Sequence, residues 1–161
     1  RQRGAVPARA DDIVIEGVGN LMTVLAKCCH PVPGDPVVGY VTRGRGVTIH
    51  REDCRQVVHW EAEASPRLLQ VRWGEKPGAS YVVHLLIRAF DRRDLIRDIS
   101  TVLSASDTQV TDISSQLDES VDEVTIKLKV RVRDYEHLSE LLNRLGSVHN
   151  VIEARRLKPG G

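Results

Sequence analysis

The three cysteines of this chain of 161 residues all lie between positions 28 and 54. Cys28 and Cys29 are adjacent, and Cys54 follows His50 by four positions. Thiolate sulfur and imidazole nitrogen are preferred zinc ligands, and a structural zinc site takes four of them in a tetrahedron. Residues four apart share a face of a helix, so a helical segment would present His50 and Cys54 together. The segment therefore offers a Cys₃His ligand set.

Adjacent cysteines are an unusual ligand pair, because the common zinc knuckle separates its cysteines by two residues. Two sulfurs of a zinc tetrahedron lie about 3.8 Å apart, as do neighbouring Cα atoms, so Cys28 and Cys29 can share an ion where the backbone is not extended. A disulfide between Cys28 and Cys29 would be strained. A catalytic Cys–His pair is not supported either, because no acyl-transfer motif surrounds these residues. His30 is an alternative candidate for the histidine ligand. Spacing alone leaves a zinc site and a metal-free group of buried cysteines equally open.

The cysteine segment lies within a predicted α/β-hairpin module. Two runs rich in β-branched residues, 37–40 and 47–49, predict a β-hairpin that returns His50 towards the cysteine pair. A helix over 21–26, capped by Asn20, is predicted to stop before the prolines that follow the cysteines. The other predicted elements are short: a strand at 13–15, a helix within 50–60, and a strand at 68–73.

The second half of the chain has the periodicity of a ferredoxin-like domain. Apolar residues alternate along 81–90 and 123–133, as in strands with one buried face. Asp91 and Asp134 each stand where they could cap a helix, and Gly146 stands where it could end the second one. Strands at 110–117 and 148–157 complete the order βαββαβ. We therefore expect an α+β chain in four parts: a tail at 1–11, a zinc-finger-like module at 12–73, a linker at 74–80 and a ferredoxin-like domain at 81–158.

Positive charge is concentrated in local patches, since the formal net charge is only +1. Arg43 and Arg45 would stand at the glycine-rich hairpin tip, with Arg51 close behind, and glycine lets the backbone approach a partner. Both the tip and one strand of the second half suit an RNA phosphate backbone, although a solvated sheet face explains the strand equally well. The outward face of that strand carries Thr125, Lys127, Lys129, Arg131 and Arg133.

Several functional classes do not fit this sequence. No run of about 18 apolar residues is present, which excludes a membrane-spanning helix, and the N-terminus lacks the apolar core of a signal peptide. Three cysteines are an odd number and cytosolic thiols stay reduced, so we expect a cytoplasmic location without disulfides. We find neither a phosphate-binding loop nor paired carboxylates, so we expect no catalytic activity. The chain starts without Met, and we expect it to be a piece of a longer protein.

Long motifs in both halves carry a family resemblance. IEGVGNLM at 15–22 precedes LAKCCHPVPGDPVVGYVTRGRGVTIHREDC at 25–54. DRRDLIRDIS begins at Asp91, and VIEARRL ends at Leu157. Over roughly residues 12–157 the sequence resembles the C-terminal region of RelA/SpoT-family (p)ppGpp synthetases, and in particular the RelA branch.

This resemblance implies a zinc-finger-like RIS domain followed by an ACT domain, also called RRM. It places the family's zinc ligands on Cys28, Cys29, His50 and Cys54. It further implies contact with ribosomal RNA near the A site when uncharged tRNA is present, as part of the stringent response to amino-acid starvation. The region would pass this state to synthetase and hydrolase domains of the same chain, and the parent would be a GTP diphosphokinase.

The turn after the first strand of the second half departs from amino-acid-binding ACT domains, which usually carry a glycine there. The turn reads Asp91-Arg92-Arg93-Asp94-Leu95, and Asp94 occupies the glycine position. A side chain at that position would crowd a ligand's approach to the backbone. This crowding disfavours amino-acid binding and favours contact with RNA or a partner. The resemblance still leaves two alternatives: a branched-chain amino-acid sensor at Asp91, Arg92, Asp94 and Leu95, and self-association as a homodimer.

Overall fold

The computed structural model describes residues 13–15, 21–74 and 80–157. It divides into two compact units, of which the second runs from Ser80 to Leu157. Among the described residues, the helices are all too short or too polar to cross a bilayer. Each unit has its own sheet.

The first unit is built on a five-stranded sheet in the order β1-β5-β3-β4-β2. The β3–β4 pair is the predicted hairpin, and β2 is the strand that runs parallel to its neighbour β4. One face of the sheet buries an apolar cluster around Val47 and Ile49, and the other packs against α1 and the cysteines. The elements are β1 (Ile13–Ile15), β2 (Thr23–Leu25), β3 (Val37–Val41), β4 (Val47–Arg51), α1 (Arg55–Ala62) and β5 (Leu68–Trp73).

One prediction for the first unit is wrong, and one condition considered for the cysteine segment is not met. The segment 21–26 is not a helix: its centre is β2, which pairs with β4 and places Leu25 against the apolar cluster. Thr23 and Val24 favour this outcome because β-branched side chains fit a pleated strand better than a helix. The predicted cap, Asn20, lies outside the described residues. His50 is also not helical, since it lies on β4 and α1 begins only at Arg55.

The second unit has the predicted βαββαβ order and a ferredoxin-like sheet, β7-β8-β6-β9, with every neighbouring pair antiparallel. Alternation along β6 and β8 sends one set of apolar side chains into a core shared with the helices, including the fully buried Leu85, Ile87 and Ile126. The elements are β6 (Tyr81–Phe90), α2 (Leu95–Ala105), β7 (Gln109–Asp118), β8 (Glu123–Val132), α3 (Tyr135–Gly146) and β9 (Val151–Arg156).

The helix ends of the second unit agree in part with those predicted from the sequence. Asp134 caps α3 as predicted, because its carboxylate accepts a hydrogen bond from the His137 backbone N–H at 2.8 Å. Asp91 does not cap α2: the residue at the cap position is Asp94, with a left-handed φ of 66° and no side-chain cap bond. Gly146 is the last residue of α3 rather than the residue beyond it.

Candidate metal centre

Four side chains of the first unit converge on one point. The ligand atoms of Cys28, Cys29, His50 and Cys54 all lie within 4.8 Å of one another. The Cys28 sulfur is the hub, at 3.3 Å from His50 Nδ1, 3.5 Å from Cys54 Sγ and 3.9 Å from Cys29 Sγ. The predicted ligand set therefore meets in space, and the spare candidate His30 is not part of it.

Different elements deliver the four side chains. Cys28 and Cys29 lie in a tight turn, which the hydrogen bond from the His30 N–H to the Ala26 carbonyl closes at 3.1 Å. This turn lets adjacent side chains point to one side, which an extended strand would not allow. His50 comes from β4, and Cys54 is the residue immediately before α1. The hairpin and the helix start, rather than one helical face, bring His50 and Cys54 together.

The cluster is closed off from solvent on most sides. Cys54 is fully buried, His50 and Cys29 are nearly so, and Cys28 is partly exposed. The His50 ring meets the edge of Trp60, whose own ring stacks on Tyr40 with 3.8 Å between centroids. The Arg51 backbone N–H donates to the Cys29 sulfur at 3.3 Å. Such outer contacts orient the ligands and limit access of water.

The protonation of the three thiols is uneven. The hydrogen bond with Cys29, helped by His50, lowers the pKa of Cys28 to about 4 against the penalty of burial. The same hydrogen bond and burial raise the pKa of Cys29, while burial is the main cause that raises the pKa of Cys54. Sulfurs this close cannot all ionise unless a cation neutralises them. A cation bound among them would therefore favour the ionised form of all three thiols.

The geometry fits a tetrahedral zinc ion. Zinc–sulfur bonds of about 2.3 Å and zinc–nitrogen bonds of about 2.0 Å place neighbouring ligand atoms roughly 3.5–3.8 Å apart. The distances from Cys28 to its three partners run from 3.3 to 3.9 Å. Four protein ligands leave no open coordination position, which is typical of a structural rather than a catalytic site. The residues present therefore could hold one metal ion as a brace.

The arginine tip of the β3–β4 hairpin is exposed. Gly44 and Gly46 have left-handed φ values of 84° and 74°, and Thr42 closes the loop through two hydrogen bonds to the Gly46 carbonyl. Arg43 and Arg45 are exposed and make no ion pair with any residue that the structure describes. Both guanidinium groups are thus available to a partner.

Arg51 differs from the two tip arginines. Its side chain is only 13% exposed and pairs with Asp53 at 2.6 Å. Its backbone N–H is already engaged by the Cys29 sulfur. Arg51 is therefore placed to support the cysteine cluster, and an RNA contact by its side chain stays a prediction.

The helix-free face of the second unit is divided by charge, which sequence inspection missed. Lys127 and Lys129 are exposed on β8 without an ion pair in the described chain, and Arg131 reaches Ser80. At the other end, Arg88 is held by Glu123 and Glu153 at 2.6 and 3.2 Å. Knowledge of the strand register would have revealed these ion pairs, because Arg88 lies opposite Glu153 on β9 and opposite Thr125, two residues from Glu123, on β8. Arg133 does not belong to the row of cationic side chains on β8, because its guanidinium pairs with Asp107 at 3.3 Å.

The turn at 91–95 is held together by Arg92. Its guanidinium donates to the His149 and Arg93 carbonyls and to Asp98, which keeps the pKa of the Asp98 carboxyl below its usual value. Asp94 occupies the left-handed position, and Leu95 is buried. Amino-acid binding at Asp91, Arg92, Asp94 and Leu95 stays a prediction, in a turn whose arginine already has partners.

Comparisons with known proteins agree with this architecture. Residues 13–74 match the model for the RelA/SpoT RIS domain, and residues 77–156 match an ACT domain model. GTP pyrophosphokinases of Haemophilus influenzae and Escherichia coli (strain K12) are 41% and 39% identical over 145 residues, which are 90% of this chain and 20% of theirs. The bifunctional (p)ppGpp synthase/hydrolase RelA of Mycobacterium tuberculosis is 35% identical over 154 residues, 94% of this chain and 20% of its own length.

Among solved structures, an ACT domain from the GTP pyrophosphokinase of Chlorobium tepidum matches with a TM-score of 0.45 and 23% identity, covering 49% of this chain and all of that one.

Fold and cluster together define a two-domain chain, in which a module with a metal-ligand cluster precedes a ferredoxin-like domain. The first is a RIS domain and the second an ACT domain. The chain belongs to the RelA/SpoT family, and it spans about a fifth of the length of the curated relatives it matches.

Proposed function

We propose that this chain is the regulatory, ribosome-binding C-terminal region of a cytoplasmic (p)ppGpp synthetase of the stringent response. In this proposal it contacts ribosomal RNA near the A site, where uncharged tRNA signals amino-acid starvation. It then controls the synthetase and hydrolase domains of the same chain. The parent would be the GTP diphosphokinase, and this region would carry out no chemistry itself.

The observation that carries the proposal is the pair of free arginines at a hairpin tip whose base is closed by the cysteine cluster. Arg43 and Arg45 are exposed and have no ion pair in the described chain. His50, at the far end of β4, belongs to the Cys₃His cluster. A zinc ion there, held by four residues, would fix the hairpin base and so the position of the tip. Preorganised arginines bind phosphate with less entropy lost.

Cosedimentation of the chain with ribosomes tests this function. R43E/R45E should lower ribosome affinity at least tenfold, because two phosphate contacts become repulsive. R72E/R93E changes the charge equally at two exposed arginines outside the tip and should bind as the wild type does. Unchanged binding by R43E/R45E would remove the tip from the ribosome contact.

The exposed lysines of the second unit are proposed as a weaker contact. Lys127 and Lys129 carry free positive charge on β8, but Glu123 and Glu153 stand on the same face. K127E/K129E should therefore reduce affinity less than R43E/R45E in the same assay. Arg131 is partly engaged by Ser80 and would contribute least.

A second candidate function is self-association through β7. All ten residues of this edge strand are exposed. Val110, Ile113 and Leu117 remain 37–47% exposed although their neighbours on β8 are buried. An edge strand of this kind is a template for pairing with another copy. Sedimentation equilibrium should then show dimers that I113K abolishes, whereas a monomer at every concentration would remove this candidate.

A further inference from the structure

Two large apolar side chains stand exposed beside the arginine tip. Leu21 is 44% and Met22 60% exposed, and both directly precede β2. The β2–β4 register begins with Thr23 opposite Val47, and Met22, the next residue towards the N-terminus, lies against Gly46 of the tip. The apolar pair is therefore part of the tip surface.

The contact between this pair and the tip is close. The Val47 N–H donates to the Met22 carbonyl at 2.8 Å. A Cβ built on Gly46 would lie 2.1 Å from that carbonyl oxygen and 3.2 Å from the Met22 Cβ. Gly46 is thus the residue that lets the Met22 backbone lie against the hairpin. Leu21, Met22, Arg43 and Arg45 together form a surface that we name the tip ledge.

The tip ledge suits a partner that has both an anionic group and an apolar surface. Arg43 and Arg45 are exposed, have no carboxylate partner in the described chain, and can bind an anionic group. Leu21 and Met22 would be dehydrated only by an apolar surface, which a phosphate backbone does not provide. A nucleotide with an unpaired base offers both, because its π-face is apolar and its phosphate lies a few bonds away. In a duplex that face is hidden by stacking.

We propose that Leu21 and Met22 contact an unpaired RNA base while Arg43 and Arg45 hold the phosphates that flank it. This rests on the RNA-binding function proposed above and makes it more specific. The first unit would recognise a loop or bulge rather than a continuous helix. The apolar pair would supply the preference for unpaired RNA, and the arginines would supply attraction that depends on salt.

Binding of two labelled RNAs to the full chain tests this. One probe is a hairpin with a single-stranded loop, and the other is a blunt duplex of the same stem length. L21S/M22S should weaken loop binding about tenfold, which is roughly 1.4 kcal/mol of lost contact, and leave duplex binding unchanged. Its slope of log affinity against log salt should match the wild type, whereas R43A/R45A should flatten that slope by about 1.4.

Two control variants separate contact from folding. V58S/V121S removes two similarly exposed valines, at 56% and 55%, outside the ledge, and should bind both probes as the wild type does. L21I/M22L keeps the apolar surface and should retain loop binding. Loop binding by L21S/M22S equal to the wild type would overturn the base contact, and so would an equal loss on loop and duplex.

The remaining outcomes distinguish the two proposals. If the wild type binds neither probe nor ribosomes, the RNA-binding function fails and the base contact fails with it. If the wild type binds both probes and L21S/M22S loses affinity only for whole ribosomes, the function stands. In that case the ledge contacts a ribosomal protein, and the base contact is overturned.

Discussion

The two units of this chain bury their interiors in different ways. The ACT domain closes its core with long strands and fully buried aliphatic side chains, such as Leu128 and Leu141. The RIS domain has strands of three to six residues and, beside its apolar cluster, a second cluster in which Cys29 and Cys54 replace large aliphatic groups. Small domains with modest apolar cores usually need a staple. We therefore expect the RIS domain to depend on its ligand cluster for stability, whereas the ACT domain should be stable through its apolar core alone.

Removal of metal should give the largest difference between the two units. The chain's two tryptophans, Trp60 and Trp73, both lie in the RIS domain, so their fluorescence reports that domain alone. A strong chelator should shift their emission to the red as this domain unfolds, since structural zinc contributes on the order of 10 kcal/mol to folding. Amide exchange of β6 and β8 should stay slow. Unchanged tryptophan emission after verified metal loss would contradict the dependence.

A cavity in the core of the ACT domain should lower the stability of that domain and leave the RIS domain unchanged. Leu141 is fully buried on α3. L141A should destabilise the ACT domain by about 3 kcal/mol, through lost burial and the cavity left behind. Denaturant unfolding followed by amide signals of β6 and β8 measures this, and the tryptophan midpoint serves as the internal control. A cost below about 1 kcal/mol would mean that the site collapses around the missing side chain.

Zinc affinity should rise with pH. Cys28 is already ionised at neutral pH, whereas Cys29 and Cys54, whose pKa values are raised, must lose protons when metal binds. Release of two protons corresponds to about a 100-fold gain in affinity from pH 7 to pH 8. Competition titration with a zinc chelator at several pH values tests this. A flat profile would show that these two thiols do not both ligate.

Replacement of two glycines by alanine should change the stability of the two domains in opposite directions. A Cβ on Gly39 would meet methyl groups of Val47 and Val71 at 2.8 and 2.9 Å, so G39A should destabilise the RIS domain by about 2 kcal/mol. Gly146 ends α3 with open space around it, and G146A should stabilise the ACT domain by about 0.5 kcal/mol. Thermal unfolding of each domain measures both. Stabilisation by G39A would contradict the packing described for Gly39, and destabilisation by G146A would contradict the open space described at Gly146.

Much of this architecture is readable from the sequence because local signals and the fold agree. Alternation in β6 and β8 and the Asp134 cap predict the ferredoxin-like fold of the ACT domain, and ligand chemistry singles out the cysteine cluster. β2 is missed because a strand of three residues gains its pairing from β4, which is distant in sequence. The charge division of the ACT face is missed because Arg88 meets Glu123 and Glu153 only across paired strands.

The most direct test of the central claim is the metal content of the intact chain. Native mass spectrometry of protein purified without chelator should show one zinc ion per chain. C29S should lose the ion, and R43E/R45E should keep it, because the tip arginines are not ligands. Wild-type protein without metal that still has its folded tryptophan emission would contradict the claim that the Cys₃His cluster braces the RIS domain.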